Sequence, residues 1–273
     1  MITVSLKPVS LEHPRTKPYV LAVFSYRYDA HLVPDMLANI DPLIDGWVSF
    51  DDRASSALFS DEPTRRYALL AAARDAGAQW VLAVDPDERF EASLTSAMPT
   101  LLAAQGSIAY SFANREMYDT EHYRIDGLWG RKTQTRLFRM SDDIAPSPTP
   151  LHALWHYMIP NAEVRDSGFN IYHLKMISFA RRRARADLYN HLDPHRQFQS
   201  IGYGYLADEQ NAVFEKIPEG RGYQPPHHED DGLWMPAVVG TETVARAAAT
   251  PTTSLFNRWL SHFSRSKFRQ TKF

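Results

Sequence analysis

Three carboxylates follow an uninterrupted apolar run in the segment WVLAVDPDERFE, residues 80–91. They belong to Asp85, Asp87 and Glu88. Carboxylates this close together repel one another, and a bound cation is the usual remedy. Because hard divalent ions such as Mg²⁺ and Mn²⁺ prefer oxygen ligands, the spacing favours a metal site. The alternative is a solvated acidic turn, in which Asp87 or Glu88 caps a helix near Ser93.

The apolar residues before these acids, 80–84, predict a short strand that is buried on both faces. The segments that lead to it alternate in type: strand 19–24, helix 31–40, strand 47–50 and helix 64–76. The second helix has a cap, first-turn acids and an early proline in residues 60–63, SDEP, with Asp61 among them, and Gly77 supplies its stop. This order predicts parallel pairing with right-handed crossovers. In such sheets, ligands bind beyond the carboxyl ends of the strands, which is where the acids lie. We therefore expect an α/β fold with a mixed, mainly parallel sheet flanked by helices.

Further elements extend this pattern toward the C-terminus. We expect a helix at 93–104, strands at 107–112, 133–138 and 168–174, and a basic helix at 178–192. Residues 151–158 are ambiguous between strand and helix. The predicted division is a proline-interrupted lead-in at 1–18, an α/β domain at 19–215, and a loop with a helical C-terminal extension at 216–273.

The chain has 273 residues, a formal net charge of −2 and no cysteine. The length suits one large domain or two small ones. The lack of cysteine excludes disulfides, thiolate catalysis and cysteine–zinc sites, and it fits a reducing compartment. No segment resembles a signal peptide or approaches the roughly 18 apolar residues of a membrane span. These features favour a cytoplasmic protein, and the balanced charge disfavours nucleic acid as a partner.

Three polar or basic segments leave alternatives open. The arginine cluster at 181–185 is either a solvated helix face or a grip for a diphosphate, a phosphorylated acceptor or nucleic acid. Residues 227–231, HHEDD, are expected to form a solvent-exposed loop. Residues 254–273 predict a basic amphipathic helix. It either makes a peripheral contact with an anionic membrane surface or packs against the protein.

Six short blocks occur in an order that resembles a known enzyme family. They are SYR at 25–27, DD at 51–52, WVLAVDPDE at 80–88, RLFRM at 136–140, LHALW at 151–155 and IYHLK at 171–175. This pattern is similar to family 2 glycosyltransferases of the GT-A fold, a Rossmann-like α/β architecture. The resemblance implies transfer of a sugar from a nucleotide-diphosphate donor to an acceptor hydroxyl. Inversion is expected, since no nucleophile for a covalent route stands out.

The resemblance also implies roles for the acids. In the family's Asp-x-Asp motif the second acid usually ligates the metal, and the first lies near the ribose or a metal-bound water. These roles fall on Asp87 and Asp85, and Asp85 is a candidate metal ligand as well. A histidine from a later strand is a further ligand in many members, which matches His173. Mn²⁺ is favoured over Mg²⁺ because it tolerates an imidazole beside carboxylates. The alternative for His173 is a core histidine beside an aromatic strand.

The nucleotide is expected across the ends of the first two strands. By resemblance, Tyr26 stacks on the base and Asp51 accepts a hydrogen bond from a ring N–H, which suits uracil and favours a UDP-sugar donor. Arg66, or less favourably Arg65, completes the pocket. The alternatives are that Tyr26 covers the sheet edge and that the two arginines form a solvated helix face.

The base that deprotonates the acceptor is the weakest part of the match. Inverting transfer needs a carboxylate or histidine within hydrogen-bond reach of the acceptor oxygen. Related sequences often carry His-Glu where this chain has His152-Ala153. The remaining candidates for the catalytic base are His152, Asp166 and Glu163.

The acceptor pocket is predicted to contain Glu116, Tyr118, Trp129 and His152, since aromatic faces and carboxylates suit sugars. The same residues could serve as core and loop anchors. A carbohydrate, a lipid-linked sugar or a protein could be the acceptor. Two other functions stay open: a catalytically silent nucleotide- or carbohydrate-binding protein on the same scaffold, supported by the missing carboxylate after His152, and a nucleotidyltransferase.

Overall fold

The computed structural model of the protein describes residues 1–8, 19–54, 61–147 and 154–224. The strands are β1 (Ile2–Leu6), β2 (Val20–Tyr26), β3 (Gly46–Asp51), β4 (Trp80–Ala83), β5 (Glu88–Phe90), β6 (Ile108–Glu116), β7 (His122–Arg124), β8 (Thr133–Arg139), β9 (Glu163–His173) and β10 (Phe214–Lys216). The helices are α1 (Val33–Ile40), α2 (Glu62–Asp75), α3 (Leu94–Leu102) and α4 (Phe179–Leu192). Short 3-10 turns join several of them, one of which, Trp155–Met158, lies in the segment that the sequence left ambiguous.

Eight of these strands form one mixed sheet in the order β1-β3-β2-β4-β8-β6-β9-β5. The predicted succession of strand, helix, strand, helix, strand is confirmed, because β3, β2 and β4 are adjacent and parallel. Parallel pairing occurs again between β6 and β9. The pairs β1–β3, β4–β8, β8–β6 and β5–β9 are antiparallel. The fold is therefore mixed α/β, with its parallel pairs in two separate groups.

The central strands are buried on both faces, as the apolar run predicts. One face, with Trp80 and Leu82 of β4, packs with α1 and α3 in a single apolar cluster. Val81 and Ala83 point to the other face and pack against Leu69 of α2. The alternation follows from the two-residue period of a strand. Helices thus cover both faces of the sheet around β4. The acids follow directly after the carboxyl end of this strand.

The helix that precedes β4 begins and ends as its sequence predicts. Asp61 caps α2, because its carboxylate accepts a hydrogen bond from the Thr64 N–H at 2.8 Å. Pro63 lies in the first turn, where a missing N–H costs nothing. Gly77 follows the helix with a φ of +86°, a conformation that favours glycine.

The sequence did not predict four short strands, β1, β5, β7 and β10, of which the first two belong to the eight-stranded sheet. Residues 2–6, expected to be part of an irregular lead-in, form the edge strand β1 against β3. Glu88 was expected in an acidic turn, but it begins β5, which pairs with the end of β9. The alternative role for Glu88 as a helix cap is therefore wrong. Five and three residues are too short for a reliable periodic signal.

The C-terminal extension and the HHEDD segment lie outside the described residues. In the part of the chain that the structure covers, no helix is long and apolar enough to cross a membrane.

We expect Gly46→Ala to loosen β1. A Cβ at this position would lie 2.5 Å from the backbone oxygen of Ser5 and 2.9 Å from the Cα of Leu6, so the strand would have to shift. Overpacking of this kind should lower the free energy of unfolding by about 1–3 kcal/mol, measured by urea denaturation. Gly204→Ala is the control, because a Cβ there meets nothing within 4 Å. Equal losses in both variants would contradict the docking of β1 on β3.

Candidate active site

A cavity of about 250 Å³ opens at the carboxyl ends of β2 and β4. The turn between β4 and β5, which carries Asp85 and Asp87, forms part of its wall. Most of the other lining side chains are charged or aromatic. They include Tyr26, Arg27, Tyr28, Asp29, Asp52, Glu62, Arg65, Arg66, Arg136, His173, Lys175, Arg185 and Tyr189. The site thus gathers acids and bases at the sheet edge where α/β folds bind ligands.

A buried ion pair holds the acidic turn in place. The Glu88 carboxylate, which is fully buried, accepts a hydrogen bond from the Asp85 N–H at 3.0 Å. Arg136, from β8, donates through Nε to the same carboxylate at 2.9 Å, and its Nη2 donates to both Glu88 and Asp85. One guanidinium therefore fixes the direction in which the Asp85 side chain points.

Backbone contacts tie the same turn to the end of β9. Arg89 has no exposed surface, and its Nη1 donates to the carbonyl oxygens of Pro86 at 2.8 Å and Glu88 at 2.7 Å. The carbonyl oxygen of Asp87 accepts from the Leu174 N–H at 2.7 Å. The second acid and the residue after His173 are thereby locked together.

The Asp87 side chain lies between an imidazole and a guanidinium. Its Oδ1 is 3.3 Å from Nε2 of His173, and its Oδ2 is 3.0 Å from Nη2 of Arg185. Arg185 also approaches Asp29, at 3.4 Å. Asp87 is 2% exposed, so these partners rather than water compensate its charge.

These neighbours set the protonation states of the site. Burial alone would raise the pKa of Asp87, but His173, Arg185 and Lys175 together hold that pKa well below its usual range. Burial and Lys175 would lower the pKa of His173, but Glu116 and Asp87 raise it to about 9. Without a further ligand, Asp87 is therefore ionised and His173 protonated near neutral pH.

The predicted metal ligands can be tested against this geometry. Among the described residues, no three His, Asp or Glu side chains converge as a ready-made metal centre. Neighbouring ligands of an octahedral ion with bonds near 2.1 Å lie roughly 3.0 Å apart. The 3.3 Å between Asp87 Oδ1 and His173 Nε2 fits this spacing. These two residues therefore fit a divalent cation once the imidazole loses its proton, whereas Asp85 faces Arg136.

The candidate nucleotide-binding residues lie on or beside the cavity. Tyr26, Arg66 and Asp85 line it. Asp51 binds Arg53 through two hydrogen bonds of 2.9 and 2.7 Å, and the Arg53 guanidinium lies 5.3 Å from the centre of the Tyr26 ring. Burial and Asp51 raise the pKa of Tyr26 to about 12, so its hydroxyl stays protonated.

The two arginines of α2 both reach the cavity, and neither forms a solvated helix face. Arg66 is 2.6 Å from Glu62 and lies over the Trp155 ring at 4.8 Å. Arg65 approaches Asp52 at 3.8 Å. The sequence favoured Arg66 over Arg65 for the nucleotide pocket, but both side chains line the cavity.

The candidate bases are not brought together. Glu163 and Asp166 are exposed near the start of β9, and neither lines the cavity. Asp166 is seven residues before His173, which corresponds to roughly 20 Å along an extended strand. The structure therefore does not bring either carboxylate to this cavity. His152 lies outside the described residues.

Three of the predicted acceptor residues, Glu116, Tyr118 and Trp129, are described by the structure, and none of these three lines the cavity. Trp129 is 3% exposed, with the Lys132 ammonium 4.1 Å from its ring centre. The Tyr118 hydroxyl accepts from Arg124, and the Arg182 guanidinium lies 4.3 Å from the Tyr118 ring. Glu116 is fully buried. The alternative interpretation as core and loop anchors fits these three residues better.

Several cavity residues were missed or undervalued by sequence reasoning. Arg185 was grouped with a solvated arginine cluster, although it contacts Asp87. A signal was present in the spacing, because Arg181, Arg185 and Leu188 recur at helical intervals and share the inward face of α4. Asp29 and Lys175, which no motif singled out for a role, also line the cavity.

Comparison with solved structures finds a weak structural similarity. No protein-family model matches the chain, and no curated protein matches its sequence. The fold is similar to the crystal structure of a glycosyltransferase involved in the glycosylation of the major capsid of PBCV-1, with 12% identity and a TM-score of 0.34. The match covers 57% of this chain and 94% of the other.

We expect Arg136→Met to destabilise the protein strongly. The variant leaves the buried Glu88 carboxylate without its bidentate partner, which should lower the free energy of unfolding by about 3–5 kcal/mol. Adding Glu88→Gln should restore part of this loss, because the amide is neutral and its oxygen can still accept from the Asp85 N–H.

Urea denaturation of the three proteins checks this expectation, with Arg165→Met as the control. Arg165 pairs with an exposed carboxylate, so its loss should leave the stability nearly unchanged. A double variant that is less stable than Arg136→Met would mean that Glu88 carries no unpaired charge in the single variant.

Proposed function

We propose that the protein is a metal-dependent glycosyltransferase that moves a sugar from a nucleotide-diphosphate donor to an acceptor hydroxyl, with inversion. A UDP-sugar is the favoured donor. The observation that carries the proposal is the pairing of Asp87 with His173 at 3.3 Å in the cavity wall, beside Asp85 and a set of arginines. This combination offers ligands for a cation and positive charge for phosphates in the same place.

The charges of the cavity suit a diphosphate leaving group. Departure of a nucleoside diphosphate leaves negative charge that the site must stabilise. A cation held by Asp87 and His173, with Asp85 nearby, supplies a Lewis acid when bound, and Mn²⁺ suits this mixed set of ligands. Arg66, Arg185 and Lys175 line the same cavity and add positive charge that is fixed in place before the reaction.

The nucleoside end of the donor is supported by the edge where β2 and β3 end. Tyr26 and Asp51 are register partners in these two strands. The Tyr26 ring can stack on a base, and the Asp51 carboxylate can accept from a base N–H. Arg53 stands over the same ring, so a base that enters must share or replace this contact.

The acceptor side depends on a base that the described residues do not identify. Direct displacement with inversion requires removal of the acceptor proton in the transition state. His152 remains the predicted base, because Glu163 and Asp166 lie away from the cavity. None of these contacts selects between a carbohydrate, a lipid-linked sugar and a protein as the acceptor.

One observation favours a second candidate function, that of a catalytically silent nucleotide- or carbohydrate-binding protein. Both acids of the motif already have guanidinium partners, Arg136 for Asp85 and Arg185 for Asp87. A ligand that carries its own negative charge could bind these arginines without any cation. Turnover therefore has to be measured separately from binding.

We expect purified protein with Mn²⁺ to hydrolyse a UDP-sugar slowly, releasing free sugar and UDP. Asp87→Asn should reduce this activity by at least about a hundredfold, in the range seen when one electrostatic catalytic group is removed. Asp166→Asn, the same chemical change at the far end of β9, should leave the rate within about twofold because exposed sites away from the chemistry have little effect. Coupled UDP detection gives both rates.

Other products separate the candidate functions. In a parallel assay with UTP and a sugar 1-phosphate, release of pyrophosphate would identify a nucleotidyltransferase. Saturable nucleotide binding without any released product would favour the silent binding protein. Equal rates in Asp87→Asn and Asp166→Asn would exclude the acidic turn as the reacting site.

Thermal denaturation with a panel of nucleotide sugars should identify the donor. A ligand at one hundred times its dissociation constant adds about 2.7 kcal/mol of stability. For a domain of this size that corresponds to a rise in Tm of roughly 5–11 °C. The largest rise is expected from a UDP-sugar together with Mn²⁺.

The contribution of the base-stacking residue can be read from the same assay. Tyr26→Ala should weaken binding by about 1–3 kcal/mol, the usual contribution of an aromatic ring to base stacking. Tyr157→Ala is the matched control, since Tyr157 is 51% exposed and does not line the cavity. A shift that is unchanged in Tyr26→Ala would place the base elsewhere.

A further inference from the structure

The strand register places a second carboxylate against the candidate metal-binding histidine. Glu116 of β6 and His173 of β9 are paired residues of parallel strands, so their side chains project from the same face of the sheet. Glu116 Oε2 lies 3.3 Å from Nδ1 of His173, while Nε2 of the same ring lies 3.3 Å from Asp87. Each ring nitrogen therefore lies beside one carboxylate. Nδ1 of His173 and Oε2 of Glu116 are both buried and have no hydrogen-bond partner within the described ranges, so each of them is the nearest candidate partner of the other.

The two carboxylates differ in what else they can reach. Asp87 lines the cavity, whereas Glu116 is fully buried and does not line it. The Glu116 carboxylate is instead surrounded by donors: Asn114 Nδ2 at 3.2 Å, Lys175 Nζ at 3.5 Å and Lys132 Nζ at 3.6 Å. Its full burial, away from the cavity wall, does not fit direct contact with a sugar acceptor, the role that the sequence suggested for it.

We propose that Glu116 is a positioning residue that acts through His173, by accepting the Nδ1–H and so directing Nε2 toward Asp87 and the cavity. The inference rests on the proposed function, in which Nε2 ligates a divalent cation. A metal-binding histidine usually donates its other ring N–H to a carboxylate or carbonyl, and this second contact fixes the tautomer and orientation of the ring.

The surroundings make this carboxylate suited to the task. Burial would raise the pKa of Glu116, but Lys175, His173 and Lys132 together hold it far below its usual range, so the group accepts hydrogen bonds and donates none. The lysines approach from Oε1, which leaves Oε2 for the imidazole. Rotation of the His173 ring would break the contact with Nδ1. The ring therefore has one favoured orientation, with Nε2 toward Asp87.

Glu116→Gln tests the proposal, because it keeps the size of the side chain but adds an amide donor. The lysines at the Oε1 position should hold the amide oxygen there, which places the amide NH2 group against Nδ1. Nδ1 must then accept, so the proton of the neutral ring lies on Nε2, and that tautomer cannot ligate a cation through Nε2. We expect Mn²⁺ affinity, measured by isothermal titration and by the EPR signal of free Mn²⁺, to fall roughly 10- to 100-fold.

Lys132→Gln is the matched control. Lys132 approaches the other oxygen of the same carboxylate, at 3.6 Å, and contacts neither Asp87 nor His173 in the distances above. Its loss should change Mn²⁺ affinity by no more than about fivefold, as for a partly exposed ion pair. Equal losses of affinity in the two variants would overturn the positioning role, since the effect would then follow the charge balance of the cluster.

A second measurement on metal-free protein separates this proposal from the proposed function. With ¹⁵N-labelled histidine, and His173→Gln for assignment, the Nδ1–H of the wild type should appear as a slowly exchanging, downfield proton. It should vanish or shift upfield in Glu116→Gln and persist in Lys132→Gln. A signal that persists in Glu116→Gln overturns the positioning role. Failure of the wild type to bind Mn²⁺ would instead overturn the metal-dependent function, while the ring signal still decides whether Glu116 orients His173.

Discussion

The ion pair between Arg136 and Glu88 is the interaction on which the geometry of the cavity depends. Both side chains are almost completely removed from water, so each charge is tolerable only because the other is present. The pair also binds Asp85, which joins β8 to the turn between β4 and β5. Since β8 lies next to β4 in the sheet, the first acid of the motif is held by the sheet itself and not by a loop.

The same principle extends to the other charges of the site. Each acidic group of the motif faces a guanidinium, and Arg185 serves Asp29 as well as Asp87. A cation entering between Asp87 and His173 would compete with Arg185 for the carboxylate and would require the imidazole to release its proton. Arginine can remain beside the carboxylate or turn to a phosphate, because it is charged in either place. The cationic neighbours hold the pKa values of Asp85 and Asp87 below their usual range despite burial, whereas burial and Asp87 raise the pKa of Asp29.

The sequence predicted the features that depend on local pattern. The buried strand at 80–84, the cap at Asp61 and the parallel β3-β2-β4 group follow from apolar periodicity and helix signals. Strands β1 and β5 were missed because they are short, and their pairing depends on partners distant in the chain. The burial of individual side chains could not be predicted from the sequence either. An arginine-rich helix does not reveal which arginine turns inward, as Arg185 does. A glutamate such as Glu116 looks the same in the sequence whether it lines a pocket or is buried beneath one. The candidate base Asp166 lies away from the cavity for a related reason. Its position within the eleven residues of β9 decides which end of the strand its carboxylate is near, and the sequence does not reveal that position.

The register of β6, β9 and β5 explains why the residues at the base of the cavity can be held more rigidly than the residues around its opening. Glu116, His173 and Glu88 are aligned across β6, β9 and β5, so a carboxylate, an imidazole and a second carboxylate form one row on the sheet. Lys132 and Lys175 neutralise one end of the row, and Arg136 neutralises the other. The imidazole therefore keeps a fixed place between two compensated acids, and any tilt would have to break ladder hydrogen bonds as well as ion pairs. Sites built on strands hold their groups more accurately than sites built on loops. In the proposed reaction, residues on the sheet would stabilise the charge of the leaving group, and segments outside the sheet would recognise the acceptor.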